Sequence, residues 1–163
     1  MKYFLFLSFS VLLFLSGCKT AGQDVYEYEL NQQSINPANS GKTKRKTEQQ
    51  YIAILYANLF QKALSANELI DIEKVIASIG DKELVHEVVV SNFMNRTGIM
   101  IPLKAEMLAD KDAFVKDTYK RFYVREPSIA EKTWWINYIT ANPQVTPELV
   151  YVSFALSEEY LFY

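Results

Sequence analysis

One thiol, one imidazole and two neighbouring indoles are the side chains here most able to do chemistry, and each stands without the companions that catalysis requires. Cys18 is the only cysteine and His86 the only histidine among 163 residues. No disulfide can therefore close within the chain, and no Cys/His zinc cage can be built. His86 sits between Glu83 and Glu87, which lie one helical turn apart on one face. A lone imidazole in that setting is ordinarily a packing residue, and two carboxylates without a sugar cleft do not make a glycosidase. There is no nucleophile elbow, Gly-rich phosphate loop or metal-ligand cluster, and only five glycines to build such loops from. No catalytic residue, metal or cofactor is expected. With 17 basic against 19 acidic side chains, the clustered cationic excess that marks nucleic-acid binding is missing as well.

The surroundings of the thiol say more than the thiol does. Met1 and Lys2 precede the run Tyr3 to Leu15, in which only Ser8 and Ser10 are polar. As a helix that run reaches roughly 20 Å, short of the ~30 Å hydrocarbon core, so it reads as a signal-peptide core rather than a spanning helix. Leu15-Ser16-Gly17-Cys18 resembles the lipobox of bacterial lipoproteins. Small Ser and Gly let an extended backbone enter a peptidase, and the thiol is the one soft nucleophile available for acylation. The resemblance implies that residues 1–17 are removed and that Cys18, diacylglycerol-modified and acylated with fatty acids such as palmitate, becomes the membrane anchor. Two or three acyl chains suffice for stable attachment. Lys19 after the cysteine points, by the same resemblance, to the outer membrane, with the protein on its periplasmic or surface face.

The elements that would position any functional side chain follow. Residues 18–46 are rich in Asn, Gln, Ser, Gly and Lys, broken by Pro37 and Gly41, and read as a lipid anchor followed by a flexible tether. Lys42, Lys44, Arg45 and Lys46 form a basic cluster, either a solvated linker or a contact for anionic headgroups or an acidic surface polymer. From Thr47 the signals become helical. Thr47 with Gln50 reads as a capping box, and Tyr51/Ile52, Leu55/Tyr56 and Leu59/Phe60 as an apolar stripe. Ser65 with Glu68 reads as a second capping box, as does Ser128 with Glu131 further on, and Ser65 opens a second helix with Leu69, Ile72, Ile76 and Ile79 inward. Asp81 caps a third with Leu84, Val85, Val88 and Val89 inward. Residues 47–97 make the first unit and 98–110 an apolar connector.

Residues 111–163 repeat the pattern. Tyr51, Ile52, Leu55, Tyr56, Leu59 and Phe60 align with Phe114, Val115, Thr118, Tyr119, Phe122 and Tyr123; Ser65 and Glu68 align with Ser128 and Glu131; Glu83-Leu84-Val85 aligns with Glu148-Leu149-Val150. This is an internal duplication with a period of about 63 to 65 residues. The expected fold is all-α, two related three-helix units packed together and sharing a core, since each alone is near the lower limit for independent stability.

Within the second unit Tyr119, Arg125, Pro127, Trp135, Leu149, Ser157, Glu158 and Tyr160 follow the pattern of a bacterial helical repeat. The unit resembles tandem repeats of undetermined function in bacterial surface proteins, similar in pattern to phycobilisome-linker domains. Val124 stands where that pattern has a turn glycine. The resemblance implies a helical module for protein contact and carries no catalytic residues. Arg125, with Pro127, is expected to order the turn by meeting Glu131 or Glu158. Trp135 aligns with Ile72 and is expected in the core, whereas Trp134 aligns with Asp71 and is expected either to face outward or to pack into the junction between the units. An outward Trp with Tyr138 and Tyr151 nearby would anchor an interface.

Three functions fit these expectations: a lipid-anchored, non-enzymatic interaction or assembly module binding an envelope protein or polymer; an accessory subunit or small hydrolase acting on peptidoglycan or envelope polysaccharide; and a periplasmic inhibitor of another enzyme. All three share the anchor. Cys18→Ser is expected to abolish metabolic labelling by a fatty-acid analogue and to release the protein from membranes; continued labelling contradicts the lipobox reading.

Overall fold

The computed structural model describes residues 35–38 and 40–163. Cys18, the expected leader and the first part of the expected tether lie outside them. The described residues are all-α: α1 (Glu48–Phe60), α2 (Ala66–Ser78), α3 (Lys82–Met94), α4 (Lys104–Ala109), α5 (Lys111–Tyr123), α6 (Ile129–Ala141) and α7 (Pro147–Ala155), closed by a 3₁₀ turn, Glu158–Leu161. Among the described residues the only β pairings are two isolated bridges.

The caps start the helices where the polar residues demand it. Thr47 and Ser128 form complete capping boxes with Gln50 and Glu131. At Ser65 only half the box forms: its hydroxyl accepts from the Glu68 amide, and the Glu68 carboxylate binds that hydroxyl instead of the Ser65 amide. Thr146 caps α7 with Pro147 in the first turn.

The duplication is visible in the backbone. α1, α2, α5 and α6 each run 13 residues, and α1 and α5 both end in a left-handed residue, Gln61 and Val124, at equivalent positions of the repeat. Inside, Tyr51 stacks on His86 at 4.3 Å, and their counterparts Phe114 and Tyr151 stack at 6.2 Å. The two units meet through α3 and α7, the equivalent third helices. The Tyr51 hydroxyl donates to the Ala155 carbonyl and the Asn58 amide donates to the Tyr160 hydroxyl. One apolar cluster runs from Tyr51 to Tyr160, so the core is shared.

Two expectations need correction. The inward face of α3 is Val85, His86, Val89, Val90 and Phe93; Leu84 and Val88 point outward, 49% and 44% exposed. The stripe is shifted by about one residue because His86 turns in to stack on Tyr51, and Phe93, two turns further on, packs edge-on against Tyr56 at 5.4 Å. The end of the expected flexible tether is also docked. The Lys46 amide donates to the Leu161 carbonyl, the Tyr163 amide donates to the Lys44 carbonyl (both 2.8 Å), and Asn36 exchanges backbone hydrogen bonds with Val124 and Glu126. The basic cluster is partly folded in. Lys42 lies 3.5 Å from Glu159. The Lys46 amine lies over the Tyr160 ring at 4.2 Å and donates to the Tyr160 carbonyl. Alkyl stems and amines covering aromatic faces supply the attraction, which leaves no apolar period in the strap's own sequence.

The connector is docked: Ile99 and Ile101 pack on the core, Met107 is buried, and the Met100 amide donates to the Leu59 carbonyl at 2.7 Å. Val124 departs from local preference. A β-branched residue at φ 54° carries a steric cost of roughly 1–2 kcal/mol, partly offset in any glycine replacement by glycine's unfolded-state entropy. Val124→Gly is therefore expected to raise stability by about 0.5–1 kcal/mol, read as a higher urea midpoint; a lower midpoint means that the Val124 side chain packs more strongly than its backbone is strained.

Candidate functional site

The second unit's helix-to-helix turn is held by a buried guanidinium. α5 ends at Tyr123, Val124 reverses the chain through its left-handed conformation, and Arg125 then turns inward with 6% of its surface exposed. Its Nε and Nη2 donate to the two Glu159 oxygens, each at 2.7 Å. Nη2 and Nη1 donate to the Glu131 oxygens at 2.7 and 3.0 Å, and Nη1 also donates to the Glu126 carbonyl at 3.1 Å. Every N–H of the guanidinium fork is thereby used, and its carbon lies 5.0 Å from the Tyr119 ring centroid and 5.5 Å from that of Tyr123. A planar, always-charged fork can meet two carboxylates bidentately; an ammonium cannot.

Arg125 was expected to meet Glu131 or Glu158. It takes Glu131, as one alternative had it, and on the other side Glu159, because the 3₁₀ turn after Ser157 brings that carboxylate inward. Glu131 is doubly employed, since it also closes the capping box by accepting from the Ser128 amide at 2.7 Å. Arg125, and after it the Ser128 hydrogen bonds, hold the Glu131 carboxyl at about 2, well below the usual carboxylate range. Lys42 adds a second cation beside Glu159, so two carboxylates face two cations. Pro127, half-buried, leads the chain into the Ser128 cap.

The clamp fixes the start of α6, and α6 carries the exposed aromatic pair. Trp134 is 56% exposed, and its ring lies parallel to that of Tyr138, 5.1 Å between centroids with 6° between planes. One helical turn separates them, which is the spacing that lets side chains stack along a helix face. Trp135 turns the other way, packing on Phe154 at 5.3 Å and edge-on to Trp134 at 4.9 Å. The third expected interface residue, Tyr151, is not there. It is 3% exposed, between Phe114 and Phe122, and its place in the repeat is that of buried His86. The surface pair is Trp134 with Tyr138 alone.

His86, read in the sequence as a packing residue, is one. It is buried, stacked on Tyr51 and bonded through Nε2 to Glu48 at 2.9 Å. Glu83 and Glu87 remain on the surface. Glu48 and Glu159 are the two partners that the sequence did not single out; both are first-turn acids whose partners come from distant segments, so no local spacing marks them. Among the described residues no group of three or more His, Cys, Asp or Glu is placed to hold a metal ion.

No family model, curated protein or solved structure matches this chain.

The clamp makes a stability prediction. Arg125→Ala leaves two partly buried carboxylates facing one another and is expected to cost about 3 kcal/mol, the range seen when one member of a buried pair is removed. Arg125→Lys is expected to restore only part of that, because one ammonium cannot serve both carboxylates bidentately. The folded-state pKa of Glu131 is depressed from 4.5 to about 2. Its contribution is therefore complete above the unfolded value and fades as the pH falls through that window. Unfolding followed from pH 6 to 2 should show that loss, and Glu131→Gln should flatten it; an unchanged acid limb excludes Glu131 as its source.

Proposed function

We propose that this chain is a lipid-anchored protein of the bacterial cell envelope that acts as a non-enzymatic interaction or assembly module. Acylated Cys18 holds it to a membrane, the outer membrane by the residue that follows, and the α6 face binds an envelope protein or polymer. The anchor rests on the Leu15-Ser16-Gly17-Cys18 run behind a charged start and an apolar core. The observation that carries the interaction reading is the parallel Trp134–Tyr138 stack held in water on a helix whose first turn is clamped. Exposing an indole and a phenol ring forgoes the burial that such side chains normally contribute. Stacked and seated on a rigid element, they lose little conformational freedom on binding, as an anchor residue should.

Tethering also matters to affinity. A module attached to a membrane meets partners on the same surface at a raised effective concentration, so a small aromatic patch suffices where it would be weak in solution.

A photo-crosslinkable residue at position 138, in intact cells, is expected to capture a partner that is lost when Trp134→Ala is added. Since Trp134 is outward, that substitution should move the folding free energy by less than about 1 kcal/mol. A large loss of stability would make Trp134 structural, and turnover of peptidoglycan or envelope polysaccharide by the purified chain would replace the interaction reading with an enzymatic one.

A further inference from the structure

The two units carry the same cleft between their second and third helices, and only one of them fills it. The correspondence is set by burial: Val85 with Val150 and Val89 with Phe154 are buried in both units, while Leu84 and Leu149 are exposed in both. In the second unit the space between α6 and α7 is occupied by the unit's own rings. Trp135 lies against Phe154 at 5.3 Å, and Tyr138 stands edge-on to Trp135 at 6.0 Å. The residues at those places in the first unit are Ile72, Val89 and Val75, each far smaller.

The consequence is a solvent-open apolar hollow of 260 Å³ between α2 and α3, with Val88 and Phe93 completing its walls. A dry cavity of about 150 Å³ is enough to take a benzene ring, so this one accommodates an indole. Val75 and Val88 at its mouth are roughly half exposed. Arg96 reaches over Phe93 at 4.9 Å, where its guanidinium plane can cover an incoming ring. Asp71 at the rim offers an acceptor for an indole N–H.

We infer that this cleft receives Trp134, with Tyr138 behind it, from a second copy of this chain. The molecule carries both halves of the contact: a cleft on the first unit whose counterpart is filled by tryptophan in cis, and on the second unit a tryptophan that its own fold leaves in water. Charge does not oppose the match. The ions at the mouth are paired locally, Arg96 with Glu68 at 3.5 Å and Asp71 with Lys74 at 3.0 Å, so a neutral aromatic knob meets no unpaired charge. Cleft and knob are different surfaces, so the contact is head-to-tail and propagates into short chains or rings rather than stopping at a symmetric dimer. The area is small, one indole and one phenol ring against the roughly 800 Å² per partner of a standard interface. Assembly is therefore weak in solution and strengthened by confinement to a membrane; it rests on the interaction-module reading for its knob and names the partner.

The test is self-association of the full chain purified in detergent, followed by sedimentation velocity over a wide concentration range. Mass should rise with concentration for the natural chain and stay monomeric for Trp134→Ala, which lacks the knob, and for Val75→Trp, which fills the cleft. An equimolar mixture of those two variants should regain dimers but nothing larger, because one retains the cleft and the other the knob. If Val75→Trp does not fold by circular dichroism, Val88→Glu, which puts a charge at the mouth, takes its place. A monomeric natural chain at all concentrations, assembly indifferent to both substitutions, or a mixture that stays monomeric overturns the proposal. Cellular capture through position 138 that survives Val75→Trp but not Trp134→Ala would then leave the interaction-module reading standing with a different partner.

Discussion

A single buried guanidinium organises the second unit. Arg125 ties together segments that are far apart in the chain: its own turn, the first turn of α6 through Glu131, and the closing 3₁₀ turn through Glu159. The strap before α1 joins the same point, through Lys42 against Glu159 and the Asn36 pairing beside Val124. Such a network gains little net energy over an apolar replacement of the same shape. What it fixes is geometry, because a fork with five donors and two bidentate partners admits essentially one arrangement. The direction of α6, and with it the exposure of Trp134, follows from that arrangement.

The duplication explains how one framework carries two surfaces. Both units have first and second helices of the same length, the same N-cap positions and the same left-handed stop after the first helix. They differ in what is grafted on. Lys62 stands in the first unit where Arg125 stands in the second, and the cation beside Glu68 is the more exposed Arg96 at 3.5 Å. The first unit therefore has no clamp, and its smaller side chains leave a cleft. The second is tied shut and pushes an aromatic pair outward. Divergence after duplication is a direct route to a molecule bearing a socket on one half and a plug on the other.

The helices were legible in the sequence because their ends are chemically marked. Thr47-to-Gln50, Ser65-to-Glu68 and Ser128-to-Glu131 are local signals; the first and third boxes formed as read, and at Ser65 the cap formed without the return bond. What escaped was long-range. The phase of α3 depends on His86 finding Tyr51 and Glu48 from another helix, and nothing near His86 in the chain reveals them. With Val85 and Val89 correctly inward, the valine-rich run left Leu84 and Val88 equally plausible as neighbours. Tyr151 was misplaced for the same reason: its repeat partner is His86, and only the burial of both shows that this position is a core site. The docked strap left no trace because lysine stems lying over tyrosine rings carry no hydrophobic period. Glu159 rather than Glu158 meets Arg125 because a 3₁₀ turn, with its tighter winding, replaces α-helix over those four residues.

A clamped α6 keeps Trp134 in water while Trp135 packs inside. The fluorescence of Trp135→Phe, in which Trp134 is the only indole left, tests it most directly. The expected result is a red-shifted emission readily quenched by acrylamide, together with a protected, blue-shifted emission from Trp135 in Trp134→Phe. A blue-shifted, unquenched Trp134 in the monomeric chain would contradict the account.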